Sequence, residues 1–168
     1  MKSIDRGRAA LLGMALLCLA PVLAAWMAYL LLPPGGGASY GQLLPTRPFV
    51  AAASPEWPRG KWVLASALSA DCRDRCRQRW HAMGQIQKAQ GEAAERLTRV
   101  ALVVSARPAA LDVPYRLPHS PAHALPAGSQ GFYLVDPLGN QVMFYRDGAD
   151  PRRIIDEVAK VLKVNNGL

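Results

Sequence analysis

The sequence predicts a mixed α/β domain that follows a single N-terminal transmembrane helix. Three observations lead to this prediction: an uncharged apolar stretch at residues 9–32, short apolar runs typical of buried strands, and two segments with helical spacing of apolar residues. Their order is strand, helix, strand, long connection, hairpin, helix. Strands joined through a helix run parallel with a right-handed crossover, while hairpin strands run antiparallel. This order is that of a thioredoxin-like fold.

The apolar stretch "AALLGMALLCLAPVLAAWMAYLLL" is 24 residues long and has no charged side chain. About 20 apolar residues suffice to span a bilayer. A cleaved signal peptide would have a shorter apolar core, of about 7–15 residues, followed by a small-residue cleavage site. Because the apolar run here continues to "LLLPPGGG", we expect a membrane-spanning helix rather than a cleaved signal.

The basic residues around this stretch predict its orientation. Lys2, Arg6 and Arg8 precede it, and the next basic residue is Arg47. By the positive-inside rule, the tail at residues 1–8 lies in the cytoplasm. We therefore expect a single-pass protein of the bacterial inner membrane whose C-terminal domain lies in the periplasm, where disulfides can persist.

Beyond the membrane segment, the chain divides into a linker at residues 33–60 and a thioredoxin-like domain at residues 61–168. The linker is rich in Pro, Gly, Ala and Ser and shows neither helical nor strand periodicity. In the connection at residues 106–130 we expect at most a short helix. The strands and helices of the domain are assigned from the spacing of their apolar residues. Asp150 and Pro151 suit the start of the last helix. The predicted strands are "KWVLASAL", "RVALVVS", "GFYLVD" and "QVMFYR", and the predicted helices are "CRQRWHAMGQIQKAQ" and "DPRRIIDEVAKVLKVN".

The net charge of +8 raises the question of nucleic-acid binding. Basic residues are dense only at Arg73, Arg75, Arg77 and Arg79. This run lacks the interleaved aromatic residues and the zinc-ligand spacing of nucleic-acid-binding modules. The sequence therefore predicts no nucleic-acid partner.

Two cysteines lie at this arginine run, Cys72 just before it and Cys76 within it, where the first predicted strand gives way to the first helix. Unpaired N–H groups and the dipole at a helix N-terminus stabilise an exposed anion by about 0.3–1 kcal/mol. Nearby guanidinium groups act in the same direction, unless they form only a solvated helix face. This setting favours the thiolate, which is both the nucleophile and the metal ligand.

The spacing leaves several uses of the pair open. Cysteines at i and i+4 share one helical face, can form a disulfide if the first turn is irregular, and can bind a soft ion such as Cu(I). Zinc would require four ligands, and the third cysteine, Cys18, lies in the membrane segment. A structural disulfide remains an alternative, although the loop it would close is very short. Redox or copper chemistry is favoured over both.

At these residues the sequence resembles the Sco (SenC) family. "RGKWVLASALSADCRDRCRQ" is similar to its Gly-Lys-Trp-Val-Leu strand and Cys-x3-Cys motif, and "FYLVDPLGNQVMFYRDGADPRRIIDEVAKVL" to its closing hairpin and helix. With "APVLAAWMAYLLLPPGGGASYGQLL", the chain resembles a proteobacterial group of Sco-related transmembrane proteins encoded among cytochrome oxidase assembly genes. Sco proteins are membrane-anchored, thioredoxin-fold copper chaperones that help build the binuclear copper centre of cytochrome c oxidase.

The resemblance implies that Cys72 and Cys76 are the copper-binding and redox thiols, with copper as the metal. At the position of the family's ligand histidine, five residues before Tyr133, this sequence has Gly128. His119 and His123, in the preceding loop, are the candidates for a further ligand.

From the resemblance we expect a copper chaperone or thiol–disulfide oxidoreductase in cytochrome c oxidase assembly. Its partner would be an oxidase subunit or another assembly factor. The rival hypothesis is a non-catalytic assembly factor that uses the thioredoxin-like domain as a docking surface.

Overall fold

The computed structural model describes residues 2–31, 39–69, 72–103, 112–118 and 125–165. The chain divides into two compact units, residues 1–38 and 39–168. The first contains helix α1, Lys2–Leu31. Its segment Gly7–Leu31 has a mean hydropathy of 2.2 and no buried residues, so it is long and apolar enough to cross a membrane.

The second unit is built on a six-stranded sheet in the order β1-β6-β5-β2-β3-β4. Helices α2 and α3 complete it, together with 3-10 helices at Val50–Ala53 and Gly91–Arg96. The strands are β1 Gln42–Pro48, β2 Trp62–Leu68, β3 Leu97–Val103, β4 Tyr115–Pro118, β5 Gly131–Val135 and β6 Asn140–Arg146; the helices are α2 Asp74–Lys88 and α3 Pro151–Val164.

The pairing of the strands confirms the predicted thioredoxin-like fold. β2 runs parallel to β3 through the crossover helix α2, and β5 and β6 form an antiparallel hairpin. All seven residues of β2 are buried, as expected of a central strand covered on both faces. The predicted start of α3 is also confirmed, because the side chain of Asp150 accepts a hydrogen bond from the Arg152 N–H at 3.0 Å.

Two segments differ from the expectation. Within the predicted linker, Gln42–Pro48 forms strand β1, antiparallel to β6. It lies at the edge of the sheet, where prolines are tolerated, and it is mostly exposed, so it lacks an alternating apolar pattern. Within the connection at residues 106–130, Tyr115–Pro118 forms strand β4, parallel to β3, where we expected at most a short helix.

The core lies on both faces of the sheet. On one face, α2 and α3 contribute their apolar stripes; the other face is covered by residues that include Phe49 and Trp57, from the segment between β1 and β2. The stripe of α2 is Trp80, Met83 and Ile86, as its spacing predicts. This packing holds the first turn of α2 at the end of β2, where the cysteines lie.

A partly buried hydrogen-bond network anchors the start of the second unit to α3. The Glu157 carboxylate accepts hydrogen bonds from the N–H groups of Tyr40 and Gly41, at 2.7 and 2.9 Å, and from the Tyr145 hydroxyl at 2.9 Å. Burial, followed by the neighbouring charge of Glu157, raises the pKa of Tyr145. The residues that lead into β1 are thereby fixed to the helix packed beneath them.

Candidate redox site

Cys72 and Cys76 form a disulfide between the end of β2 and the first turn of α2, with their Cα atoms 5.1 Å apart. The predicted position at a strand-to-helix junction is confirmed. α2 begins after Arg73, which makes no side-chain capping hydrogen bond. Asp71, which precedes Cys72 in the sequence, lies outside the described residues. The first-turn N–H groups therefore have no side-chain cap at Arg73, and they lie beside the sulfur pair.

The two cysteines differ in their exposure. Cys72 precedes the helix, belongs to the core beneath α2 and is 4% exposed. Cys76 lies in the first turn of α2 and is partly exposed. A thiol or disulfide reagent can therefore reach the pair more easily at Cys76.

The arginines around the pair do not share one environment. Arg75 and Arg77, on either side of Cys76 in sequence, are exposed. Arg79 is buried, with only 8% of its side chain exposed, and it forms two hydrogen bonds with the Asp147 carboxylate, from Nε at 2.7 Å and Nη2 at 2.6 Å. A solvated helix face thus describes Arg75 and Arg77, whereas the side chain of Arg79 is largely covered by the residues that it bonds.

Arg79 connects three elements around the site. Its Nη1 donates to the Ser66 hydroxyl in β2 at 2.9 Å and to the Ser129 carbonyl at 2.8 Å. The Ser66 hydroxyl donates in turn to the Gly131 carbonyl at 2.7 Å, so a fully buried polar side chain in β2 is satisfied. Arg79 therefore joins α2 to the loop before β5 and to the turn after β6.

The loop before β5 contains Gly128, whose φ of +89° lies in a region that side chains with a Cβ rarely adopt. Its carbonyl accepts a hydrogen bond from the Tyr133 hydroxyl at 2.7 Å, and the same hydroxyl accepts one from the Ala127 N–H at 2.9 Å. Burial raises the pKa of Tyr133. The position that the resemblance assigns to a histidine is thus part of a turn that favours glycine.

Of the predicted site residues, the structure brings together only Cys72 and Cys76. His119 and His123 lie outside the described residues, and His81 is exposed on α2. Among the residues that the structure describes, no group of three or more His, Cys, Asp or Glu side chains could hold a metal ion. Within that part of the chain, the pair itself is the only soft donor set at the junction.

Arg79, Asp147 and Ser66 are parts of the site that the sequence did not predict. A signal for Arg79 was present, because it precedes Met83 by four residues and Ile86 by seven, which places it on the buried stripe of α2. A charged side chain at such a position requires a partner. Asp147, in a turn, carried no comparable signal.

Comparison with known proteins identifies the domain. The family model described as "Transmembrane-like, thioredoxin-like, C-terminal domain" matches residues 62–165. No curated protein shows significant sequence similarity to the chain. Among solved structures, the copper-bound ScoI of Bradyrhizobium japonicum is similar with a TM-score of 0.45 and 19% identity, over 63% of this chain and 85% of that one.

The family match covers the sheet from β2 onward, both helices of the second unit and the cysteine pair. The chain therefore belongs to the transmembrane-like, thioredoxin-like C-terminal domain family.

Proposed function

We propose that this protein is a membrane-anchored thiol–disulfide reductase that acts through Cys72 and Cys76 on the periplasmic side of the inner membrane. The observation that carries the proposal is the disulfide at the start of α2, of which one cysteine, Cys76, is partly exposed. A disulfide between residues four apart closes too short a loop to contribute much chain-entropy stabilisation. Exchange chemistry is a better use of this arrangement than a structural role.

In the proposed reaction, the reduced Cys76 thiolate attacks a target disulfide and forms a mixed disulfide, and the released target thiolate takes up a proton. Cys72, deprotonated in turn, attacks the sulfur of Cys76 and releases the second target thiolate. Two electrons pass from the pair to the target, and the pair becomes the Cys72–Cys76 disulfide that the structure contains. A periplasmic dithiol protein must reduce the pair again before the next cycle.

The chain itself contributes the electrostatics of this reaction. The N-terminal turn of α2, where Arg73 makes no side-chain capping hydrogen bond, and the guanidinium groups of Arg75 and Arg77 stabilise the Cys76 thiolate that attacks the target disulfide. Because Cys72 is buried, other oxidants reach it poorly before it attacks the mixed disulfide.

The place of the reaction and its target come from the sequence. Helix α1 has the length and hydropathy of a membrane anchor, and the basic residues before it favour a periplasmic domain. The resemblance to Sco-related proteins encoded among oxidase assembly genes supports a target in cytochrome c oxidase assembly. We therefore propose that the target cysteines are the copper ligands of an oxidase subunit.

Copper delivery is the second candidate function, with copper as cargo. The reduced pair offers two soft thiolates, the ligands that Cu(I) prefers, at Cα atoms 5.1 Å apart. His119 and His123 stay candidate ligands on the sequence resemblance. Two thiolates without a described third donor suit transient carriage better than tight storage.

The deciding experiment uses the full chain in lipid nanodiscs. A redox titration of the pair against glutathione should give a potential in the range of known exchange proteins, about −270 to −120 mV, whereas a value below about −300 mV would indicate a structural disulfide. The reduced chain should also convert an oxidised peptide with a copper-site cysteine pair to its dithiol form.

The double variant Cys72→Ser, Cys76→Ser is the matched control, and Cu(I) titration of the same two proteins tests copper delivery. Equal Cu(I) binding by both would rule out the pair as the copper site. If the double variant still supports oxidase assembly in cells, the docking hypothesis is correct and the exchange hypothesis is wrong.

A further inference from the structure

A groove lies along the exposed side of α2. Its walls are formed by the first half of α2, the loop before β5 and the turn between β6 and α3, and its volume is about 1380 Å³. Apolar side chains, including Ala82, Phe132 and Phe144, contribute to its lining. The groove begins at the first turn of α2, because Arg75 and Arg77, the residues on either side of Cys76, both line it.

The charges that line this groove are unbalanced. Arg75, Arg77 and Arg146 are exposed, and none of them forms a salt bridge or side-chain hydrogen bond with another residue in the described part of the chain. The one carboxylate in the lining, that of Asp147, is paired with Arg79. Three positive charges therefore face the groove without a protein counter-ion among the described residues.

A concave, low-dielectric surface that carries one sign of charge concentrates ligands of the opposite sign. The volume exceeds the range of about 300–1,000 Å³ that is usual for small-molecule sites, and it suits a stretch of polypeptide. A flat membrane surface could not enter the groove or contact the apolar side chains in its lining. The observations thus favour a protein ligand over anionic lipid.

We propose that this groove binds an acidic, extended segment of the protein whose disulfide the Cys72–Cys76 pair reduces; the proposal rests on the proposed function. Carboxylates of the segment pair with Arg75, Arg77 and Arg146, and its apolar side chains pack against the partly exposed Ala82 and Ala149 in the lining. Because Arg75 and Arg77 flank Cys76, a segment bound there presents its neighbouring disulfide to that sulfur. The groove supplies substrate selection, while the cysteines supply the chemistry.

The binding test uses the oxidised full chain in nanodiscs of neutral lipid and a fluorescent twelve-residue peptide of Asp, Glu, Gly and Leu without cysteine. Fluorescence anisotropy should show binding that weakens with salt, while a peptide with Lys in place of the acidic residues does not bind. The triple variant Arg75→Glu, Arg77→Glu, Arg146→Glu should lower the affinity by at least roughly tenfold. The matched control is Arg59→Glu, Lys61→Glu, Lys160→Glu, three exposed positions outside the groove lining with the same change in net charge.

An equal loss of affinity in both triple variants would show that binding follows net charge alone, and this would overturn the proposal. Failure of the acidic peptide to bind the parent chain would also overturn it. Nanodiscs with phosphatidylglycerol test the lipid alternative by hydrogen exchange. The triple variant Arg75→Glu, Arg77→Glu, Arg146→Glu is called the groove variant. The surface would be assigned to the membrane instead if this lipid protected the first turn of α2 in the parent chain but not in the groove variant, and if the acidic peptide did not bind.

A second arm separates this proposal from the proposed function. The reduced chain should reduce an acidic peptide disulfide at least roughly tenfold faster than a basic one, and the groove variant should lose this preference. Hydroxyethyl disulfide is small and neutral, so its reduction by the parent chain measures thiol–disulfide exchange that does not depend on binding in the groove. If the parent chain fails to reduce it, the reductase function is wrong, whereas binding of the cysteine-free peptide is decided separately.

Discussion

Two regions of the same helix use the same residue type in opposite ways. In the first turn of α2, Arg75 and Arg77 are exposed and have no counter-ion among the described residues. Half a turn further along, Arg79 is buried and forms hydrogen bonds with Asp147, Ser66 and Ser129. The position of each side chain around the helix axis decides the difference. We therefore expect Arg79 to stabilise the fold and the other two arginines to act on ligands.

The largest expected effect on the free energy of unfolding comes from removing the hydrogen bonds of Arg79. Arg79→Leu leaves the Asp147 carboxylate and the Ser129 carbonyl without their donor, and it should lower the free energy of unfolding by about 3 kcal/mol. Urea denaturation of the full chain in detergent, followed by circular dichroism, measures this loss. The matched variant Arg77→Leu, at an exposed position, should change the free energy of unfolding by less than about 0.5 kcal/mol. Equal losses in the two variants would refute the distinction.

The second prediction concerns the exposed region. In the reduced chain, iodoacetamide should modify Cys76 at least about tenfold faster than Cys72, because Cys76 is partly exposed at the helix N-terminus and Cys72 is buried. Mass spectrometry of tryptic peptides after timed quenching measures both rates. The variant Cys72→Ser should accumulate a mixed disulfide with a target peptide. Accumulation in Cys76→Ser instead would assign the attack to Cys72.

The third prediction tests the loop that Arg79 holds through Ser129. Gly128→Ala forces a residue with a Cβ into a positive φ, which should lower the free energy of unfolding by about 1 kcal/mol, although the space around the added Cβ is open. Urea denaturation measures the change. Gly84→Ala is a comparison within α2, where φ is not positive and Ala is the better helix former; its added Cβ would meet the end of the flexible Arg99 side chain at 3.3 Å. A neutral Gly128→Ala variant would show that this turn does not require glycine.

The last expected effect, no larger than that of Gly128→Ala, comes from the Tyr145 hydroxyl, which titrates, whereas an arginine stays charged at all accessible pH values. The pKa of Tyr145 is raised in the folded state, so the unfolded chain releases this proton first, from about pH 10. The contribution of the tyrosine is complete below pH 10 and is lost as the pH rises above it. Between pH 10 and 11 the free energy of unfolding should fall by about 1 kcal/mol more in the parent chain than in Tyr145→Phe. Parallel pH curves for the two proteins would contradict this prediction.

Most of the sheet could be predicted from local patterns, because buried strands such as β2 and β5 are continuous apolar runs between turn residues. β1 and β4 could not, since both lie at sheet edges, are mostly exposed and contain proline. The strand structure of β1 arises from pairing with β6, which is distant in sequence. That of β4 arises from pairing with β3, from which a Pro-rich connection separates it. At the site, the position of the cysteines at a strand-to-helix junction was predictable, whereas their disulfide was one of several alternatives and the partners of Arg79 were not predicted.

The sequence by itself determined the membrane-spanning length of α1, the strand-to-helix junction with its two cysteines, and the excess of positive charge around them. These properties depend on composition and short-range spacing, and both can be read from a short segment of the sequence. Only the tertiary structure decided which cysteine is the more exposed, which arginine is neutralised and which arginines face the groove without a counter-ion among the described residues. Each of those outcomes depends on elements that are far apart in sequence, such as α2, the loop before β5 and the turn after β6, because burial and charge pairing are set by what packs against a side chain.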